Sequence, residues 1–173
     1  MTILNFGSCC IDNVYSVPHF AGPGETFPCS NFEVHPGGKG LNHSIALAAS
    51  GAQVHHAGKV GKDGLWLVEL LKSKNVKTES VYVDEGPSGH ANIQVTPEGE
   101  NSIVLFGGAN KKNTTEAYDK PIEVQVFDFL ISDSDFPLFF NFLYLSDLLI
   151  PKFIRPSICS LLNSIGYGVF LPL

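Results

Sequence analysis

Residues 35–44, HPGGKGLNHS, place three glycines and a lysine directly before a segment with the pattern of a helix. A glycine-rich turn of this kind either brings backbone N–H groups against a ligand or allows the chain to turn sharply. The stretch is not a phosphate-binding P-loop, because no Ser or Thr follows the lysine, and it lacks the G-x-G-x-x-G pattern of dinucleotide-binding folds. Its function therefore has to be inferred together with the segments around it.

Apolar periodicity on both sides of the glycines predicts alternating strands and helices. We predict a buried strand over Thr2–Phe6 and a helix over about Leu41–Ser50, with Gly51 as its left-handed cap. A second helix is predicted after Asp63, whose carboxylate would cap the first turn, and Asn75 would end it. This alternation favours an α/β fold, an open sheet with a mostly parallel core.

Three further short strands do not fit between the helices and are expected near residues 14–17, 31–35 and 91–106. Pro97 and Gly99 are turn residues between two alternating runs, so the last of these regions is predicted to be a hairpin. We expect these strands to form a small second sheet that projects from the first. A projecting sheet beside a glycine-rich turn is typical of a lid over a binding site.

The composition favours a small-molecule ligand. The 173 residues are 44% hydrophobic, enough for one ordinary core, and the net charge of −6 disfavours a nucleic-acid partner. The four cysteines are too few and too irregularly spaced for a disulfide framework, and no C-x-x-C pair suggests zinc. The start of the chain does not have the pattern of a secretory signal. We therefore expect reduced thiols and a cytoplasmic location.

The composition changes near residue 127, and residues 136–173 are rich in Phe and Leu with only three charged residues. A membrane helix is one interpretation, but the uninterrupted apolar run is shorter than the roughly 20 residues that a bilayer requires. Pro137 and Pro151 also bracket the run, and Asp147 lies inside it. We favour buried or collapsed hydrophobic sequence whose partner segments are absent, and we expect no membrane partner.

Five motifs occur along the chain in a recognisable order: GSCCID at 7–12, PGET at 23–26, GGKGLNHSIALAASGA at 37–52, GKVGKDG at 58–64 and GGAN at 107–110. In order and spacing they resemble the N-terminal half of the ribokinase-like (PfkB) carbohydrate kinases, over about residues 1–135. The resemblance implies a ribokinase-like, Rossmann-type open sheet with a small β-sheet lid and with the C-terminal half missing. Residues 136–173 do not resemble the family and are predicted to be a divergent hydrophobic tail.

The resemblance also implies a sugar-binding site with five residues. Asp12 would accept hydrogen bonds from sugar hydroxyls, which are strong contacts because they are charge-assisted. Gly37 and Gly38, with Lys39 beside them, would line the sugar pocket and allow the lid to hinge, and Asn42 would bind the sugar as well. We predict that Asp12, Gly38, Lys39 and Asn42 converge on one cleft at the carboxyl edge of the sheet, where open α/β folds bind ligands.

The chain departs from the family pattern in three places. Cys10 stands where the family often has Asn, so the preferred sugar stays open. Asp135 falls near an acidic residue that the family uses on the metal and phosphate side. The family's Gly-Ala-Gly-Asp loop, which would stabilise the transferring phosphoryl group and deprotonate the sugar hydroxyl, does not occur in these residues. The sequence therefore looks like an N-terminal fragment.

Two functions remain open at this point. The first is an ATP-dependent sugar kinase that uses Mg²⁺, with K⁺ as an optional second ion, and of which this chain would be an inactive fragment carrying the sugar pocket and lid. The second is a non-catalytic module that binds sugar or pairs through its lid. Exposed strand edges can pair between chains, so a homodimer through the lid sheet is a candidate assembly. No metal site is assigned to the histidines.

Overall fold

The computed structural model describes residues 2–113 and 129–132. The chain divides into two compact units, Met1–Phe136 and Pro137–Leu173, and every described residue lies in the first. The tail predicted at 136–173 and its membrane alternative therefore lie outside the described residues. Within the described ranges, no helix is long and apolar enough to cross a membrane.

The described residues of this unit form eight strands and two helices. In chain order they are β1 (Thr2–Phe6), β2 (Cys10–Ser16), β3 (Asn31–Gly37), α1 (Lys39–Ala49), β4 (Gln53–Gly61), α2 (Leu65–Ser73), β5 (Lys77–Asp84), β6 (Gly89–Val95), β7 (Asn101–Phe106) and β8 (Phe129–Ser132). Two short 3₁₀ helices, Lys62–Gly64 and Gly108–Lys112, precede α2 and follow β7.

The main sheet has the strand order β5-β4-β1-β8, and all three of its strand pairs are parallel. The predicted open α/β sheet with a parallel core is therefore confirmed. Both helices contribute their apolar stripes to one core cluster, in which Leu41 of α1 and Leu67 and Leu71 of α2 meet Val54 and Val60 of β4. Burial of these side chains contributes about 1.5–3 kcal/mol each.

The lid sheet has the order β3-β2-β6-β7. The predicted hairpin is present as the antiparallel pair β6–β7, and β2 pairs antiparallel with β3 and parallel with β6. Strand β2 is longer than predicted, because it begins at Cys10 and not near residue 14. The reason is that Cys10 already has a partner on both sides, Gly37 on β3 and Gly89 on β6.

The helix ends follow the predicted signals with one exception. Gly51 and Asn75 both adopt positive φ, at 91° and 61°, two residues after the ends of α1 and α2. The prediction that Asp63 caps α2 is wrong, because the residue before α2 is Gly64 and it makes no side-chain cap. The Asp63 carboxylate instead accepts hydrogen bonds from the backbone N–H and the hydroxyl of Ser88, at 2.9 and 2.7 Å. It thereby ties the α2 entrance to the segment that leads into the lid.

Candidate functional site

The glycine-rich turn packs directly against the turn that follows β1. Leu41 donates its backbone N–H to the Ser8 carbonyl at 3.0 Å. A Cβ at Gly40 would lie 2.5 Å from the Gly7 Cα, and a Cβ at Gly38 would lie 2.5 Å from the Ser8 oxygen. Gly38 also has a φ of 97°, which side-chain-bearing residues rarely adopt. The glycines therefore allow two backbone segments to approach each other closely.

Asp12 lies over this glycine turn. Strand β2 pairs Cys10 with Gly37 and Asp12 with His35, which places the Asp12 side chain beside the end of β3. A Cβ added at Gly37 would overlap the Asp12 carboxylate. The structure thus brings Asp12 and Gly37 into contact although they are far apart in sequence.

The Asp12 carboxylate is partly buried, and it has no hydrogen-bond partner among residues 2–113 and 129–132. Burial raises its pKa, and the nearby His35 opposes this shift. A carboxylate that has lost part of its hydration without gaining a protein donor is favourably placed to accept hydrogen bonds from ligand hydroxyls. This electrostatic situation is the strongest indication of a binding site in the described part of the chain.

Lys39 and Asn42 lie on the first turn of α1, directly after the glycines, and both are exposed. The Asn42 backbone N–H donates to the Gly38 carbonyl at 3.1 Å. Its side-chain amide has no hydrogen-bond partner within the described ranges. The predicted convergence of these two side chains with Asp12 on one cleft stays a prediction.

Asn110 links the lid region to the turn after β1. Its side chain accepts a hydrogen bond from Cys9 N–H at 3.2 Å, and it donates to the Cys9 carbonyl at 2.9 Å and to the Cys10 sulfur at 3.3 Å. The GGAN motif marked this asparagine in the sequence, but its contact with Cys9 was not predicted. It fixes the backbone three residues before Asp12.

A chain of buried polar side chains lies under the same turn and was missed in the sequence. Asn5 donates to the Gly40 carbonyl at 2.7 Å and to the Ser44 hydroxyl at 2.8 Å. The His56 ring lies 2.8 Å from Ser44 Oγ through Nδ1 and 3.2 Å from Cys9 Sγ through Nε2. Burial lowers the pKa of His56 to about 4, so that its ring is neutral at physiological pH. The only signal available was the presence of polar residues in segments predicted to be buried.

No group of three metal-binding side chains occurs among the residues that the structure describes. Asp135 lies outside the described residues. The thiols of Cys9, Cys10 and Cys29 are not in disulfides.

Together, the parallel sheet with its helices and the second four-stranded sheet define an α/β domain of two sheets, and the Asp12 carboxylate lies against Gly37 where the two sheets meet. Residues 2–141 match the model of the pfkB family carbohydrate kinases. This match covers most of the chain, and the chain belongs to that family. The resemblance drawn from the five motifs is confirmed.

Similar proteins agree with this assignment. The chain is 35% identical over 142 residues to a ribokinase from Haemophilus influenzae, covering 79% of this chain and 46% of the relative. It is 43% identical over 115 residues to a ribokinase from Bacillus subtilis, covering 65% of this chain and 39% of the relative. The chain therefore spans less than half the length of these curated relatives.

Solved structures show the same fold over the same part. A ribokinase from Cryptococcus neoformans var. grubii serotype A in complex with ADP superposes with a TM-score of 0.69 at 36% identity, covering 84% of this chain and 44% of that one. Arabidopsis thaliana ribokinase complexed with ribose and ATP gives a TM-score of 0.57 at 29% identity, covering 63% of this chain and 36% of that one. The ribokinase-like fold is thereby confirmed for the N-terminal portion.

Proposed function

We propose that this chain carries the sugar-binding half and the lid of an ATP-dependent, ribokinase-like sugar kinase. The observation that carries the proposal is the partly buried Asp12 carboxylate, which has no protein hydrogen-bond partner in the described ranges and lies against Gly37 at the junction of the two sheets. Ribose is the first candidate ligand, because ribokinases are among the relatives and one of them was solved with ribose and ATP.

In this proposal, binding uses three kinds of contact. The Asp12 carboxylate accepts hydrogen bonds from two neighbouring hydroxyls of the sugar, and the low local hydration strengthens both. Asn42 supplies one donor and one acceptor to further hydroxyls. Gly37, Gly38 and Lys39 line the pocket, and the backbone at Gly37 and Gly38 absorbs the hinge motion of the lid over bound sugar.

The chemical step is the transfer of the γ-phosphoryl group of ATP to a primary hydroxyl of the sugar. It requires a base for that hydroxyl and donors for the charge that develops on the transferring group. The 173 residues contain no Gly-Ala-Gly-Asp loop to supply them, so we propose that this chain binds sugar without transferring phosphate. Mg²⁺ and, as an option, K⁺ would act with ATP in the complete family enzyme. A cytoplasmic location is part of the proposal.

A second candidate is a non-catalytic module that pairs with another chain through its lid. The observation that favours it is the exposure of large apolar residues on both edge strands of the lid, β3 and β7. They are Phe32, Val34, Ile103, Val104, Leu105 and Phe106, which are 47% to 68% exposed. Exposed apolar edge strands are able to pair between chains, and we propose a homodimer through this sheet.

Two measurements test the proposed function. Ribose and a panel of other pentoses and hexoses are titrated calorimetrically into the purified 173-residue chain, and ADP formation is followed with each sugar, ATP and Mg²⁺. We expect saturable binding of at least one sugar without turnover. If none of the sugars gives a heat of binding, the proposed sugar site is contradicted. Robust turnover in a preparation free of host kinases would contradict the proposed lack of catalysis.

The kinase and module hypotheses make the same prediction for this chain, so a further observation must separate them. Reading the coding sequence past the codon for Leu173, in all three frames, shows whether a Gly-Ala-Gly-Asp loop can be encoded there. Its presence supports a sugar kinase, whereas its absence in every frame supports the non-catalytic module.

A further inference from the structure

Four polar or sulfur-bearing side chains, those of Asn5, Cys9, Ser44 and His56, lie in the core, and each is fully buried. They come from β1, the turn after it, α1 and β4. Burying polar groups costs free energy that hydrogen bonds only offset, and apolar groups of similar shape often stabilise a core equally well. A connected polar chain at this place therefore calls for a reason other than stability.

Polar contacts connect these four side chains into one chain. The Gly40 carbonyl can only accept, so Asn5 must face it with Nδ2, which also donates to Ser44 Oγ. Ser44 Oγ lies 2.8 Å from His56 Nδ1, and His56 Nε2 lies 3.2 Å from Cys9 Sγ. Both ring nitrogens of His56 therefore face a polar or sulfur-bearing neighbour.

The two ends of the chain are the two backbone segments that form the candidate site. One end is the Gly40 carbonyl, in the first turn of α1 beside the glycine turn. The other end is Cys9, three residues before Asp12. The backbone hydrogen bond from Leu41 to Ser8, the pairing of Cys10 with Gly37 and close packing also join these segments. The buried chain is placed to hold their separation from the core side.

We propose that Ser44 and His56 are positioning residues, which hold the turn that leads to Asp12 at a fixed distance from the first turn of α1. This inference rests on the proposed function, because the sugar is the ligand that such a fixed geometry would serve. Neither residue contacts the sugar. Their effect on binding is exerted through Cys9 and Gly40, and a preorganised site loses less conformational freedom when the sugar binds.

The first test needs no ligand. Ser44→Ala removes the hydroxyl that joins Asn5 to His56, and Val54→Ala, a truncation of a fully buried residue on β4, is the matched control for loss of core packing. Hydrogen exchange of the Leu41 amide is measured by NMR at denaturant concentrations that give both variants the same unfolding free energy. We expect exchange about fivefold to tenfold faster in Ser44→Ala. Equal exchange in the two variants would overturn the proposal.

The second test measures ribose affinity under conditions in which each variant is folded. We expect Ser44→Ala to weaken binding about fivefold or more relative to Val54→Ala, and equal affinities would also overturn the proposal. Ser44→Cys, which retains a weak donor, should lie between Ser44→Ala and the wild type, and it replaces Ser44→Ala if that variant does not fold. If the wild type binds no sugar, the proposed function fails. Hydrogen exchange of the Leu41 amide then decides alone whether the buried polar side chains hold the turn in position.

Discussion

The side-chain amide of Asn110 pairs with the backbone of Cys9 in both directions, although the two residues are 101 positions apart. The amide accepts from Cys9 N–H and donates to its carbonyl, as a neighbouring strand would. The turn after β1 is thus held from outside by Asn110, while His56 contacts the Cys9 side chain from the core. This turn is the connection between the main sheet and the lid strand that carries Asp12.

Removing the Asn110 amide should destabilise the domain markedly. Asn110→Ala deletes both hydrogen bonds to Cys9 in a partly buried place, where each lost partner costs about 1–3 kcal/mol. Asn92→Ala is the control, because that side chain is exposed and accepts a bond from Asn13 at 3.2 Å. Urea unfolding should show a loss of about 2–4 kcal/mol for Asn110→Ala and a loss below about 0.5 kcal/mol for Asn92→Ala. Equal losses would contradict the account of this turn.

The free energy of unfolding should decrease as the pH is lowered through the range in which His56 is neutral in the folded protein and protonated in the unfolded chain. The folded pKa of about 4 lies below the ordinary 6.5, so the unfolded chain binds a proton between these values and the folded chain does not. Lowering the pH through this window therefore favours unfolding, by about 2 kcal/mol between about pH 7.5 and about pH 5. Urea unfolding across this range measures the slope.

The control for this slope is His56→Gln, which cannot titrate. The pKa of His55 is also lowered, mainly by burial, and its contribution should persist in the variant. The difference between the two pH profiles isolates His56. A wild-type profile as flat as that of His56→Gln would show that the ring is not held neutral in the folded state.

An added methyl group should destabilise the folded domain more at Gly38 than at Gly99, a glycine of similar backbone conformation. Gly38 has a φ of +97° with the Ser8 oxygen 2.5 Å from an added Cβ, whereas Gly99 has a φ of +83° and nothing within 4 Å. Gly99→Ala should cost about 1 kcal/mol for the backbone alone. Gly38→Ala should cost about 2–3 kcal/mol more, since the crowding is against backbone. Similar melting temperatures would mean that the two turns are not in close contact.

Local patterns predicted most of the elements correctly, because propensity and burial agree there. Gly51 and Asn75 end their helices with positive φ, as expected for these two residue types. The local sequence predicts Asp63 as a helix cap, because it does not show that Ser88 lies beside it. The same limit applies to His56, whose partners Ser44 and Cys9 are separated from it along the chain. Contacts between distant segments are decided by tertiary packing, which periodicity does not encode.

The lid sheet should determine the oligomeric state. Val104 is 68% exposed on the edge strand β7, and Val83 is 50% exposed on the edge strand β5 of the main sheet. If the chain pairs through its lid, Val104→Lys should convert a dimer into a monomer in sedimentation velocity, because a buried unpaired charge opposes pairing. Val83→Lys should leave the dimer intact. A wild-type chain that is monomeric at tens of micromolar would contradict the proposed homodimer.

The central claim is that Asp12 and the glycine turn form a sugar site, and the affinity of Asp12→Asn for ribose tests it most directly. The substitution keeps the shape of the side chain and removes the charge that strengthens hydrogen bonds from sugar hydroxyls. Glu98→Gln is the control, because it removes the same charge in the hairpin turn at the far end of β6. Calorimetric titration should show binding about tenfold to a hundredfold weaker for Asp12→Asn and unchanged for Glu98→Gln. Wild-type affinity in a folded Asp12→Asn variant would contradict the account.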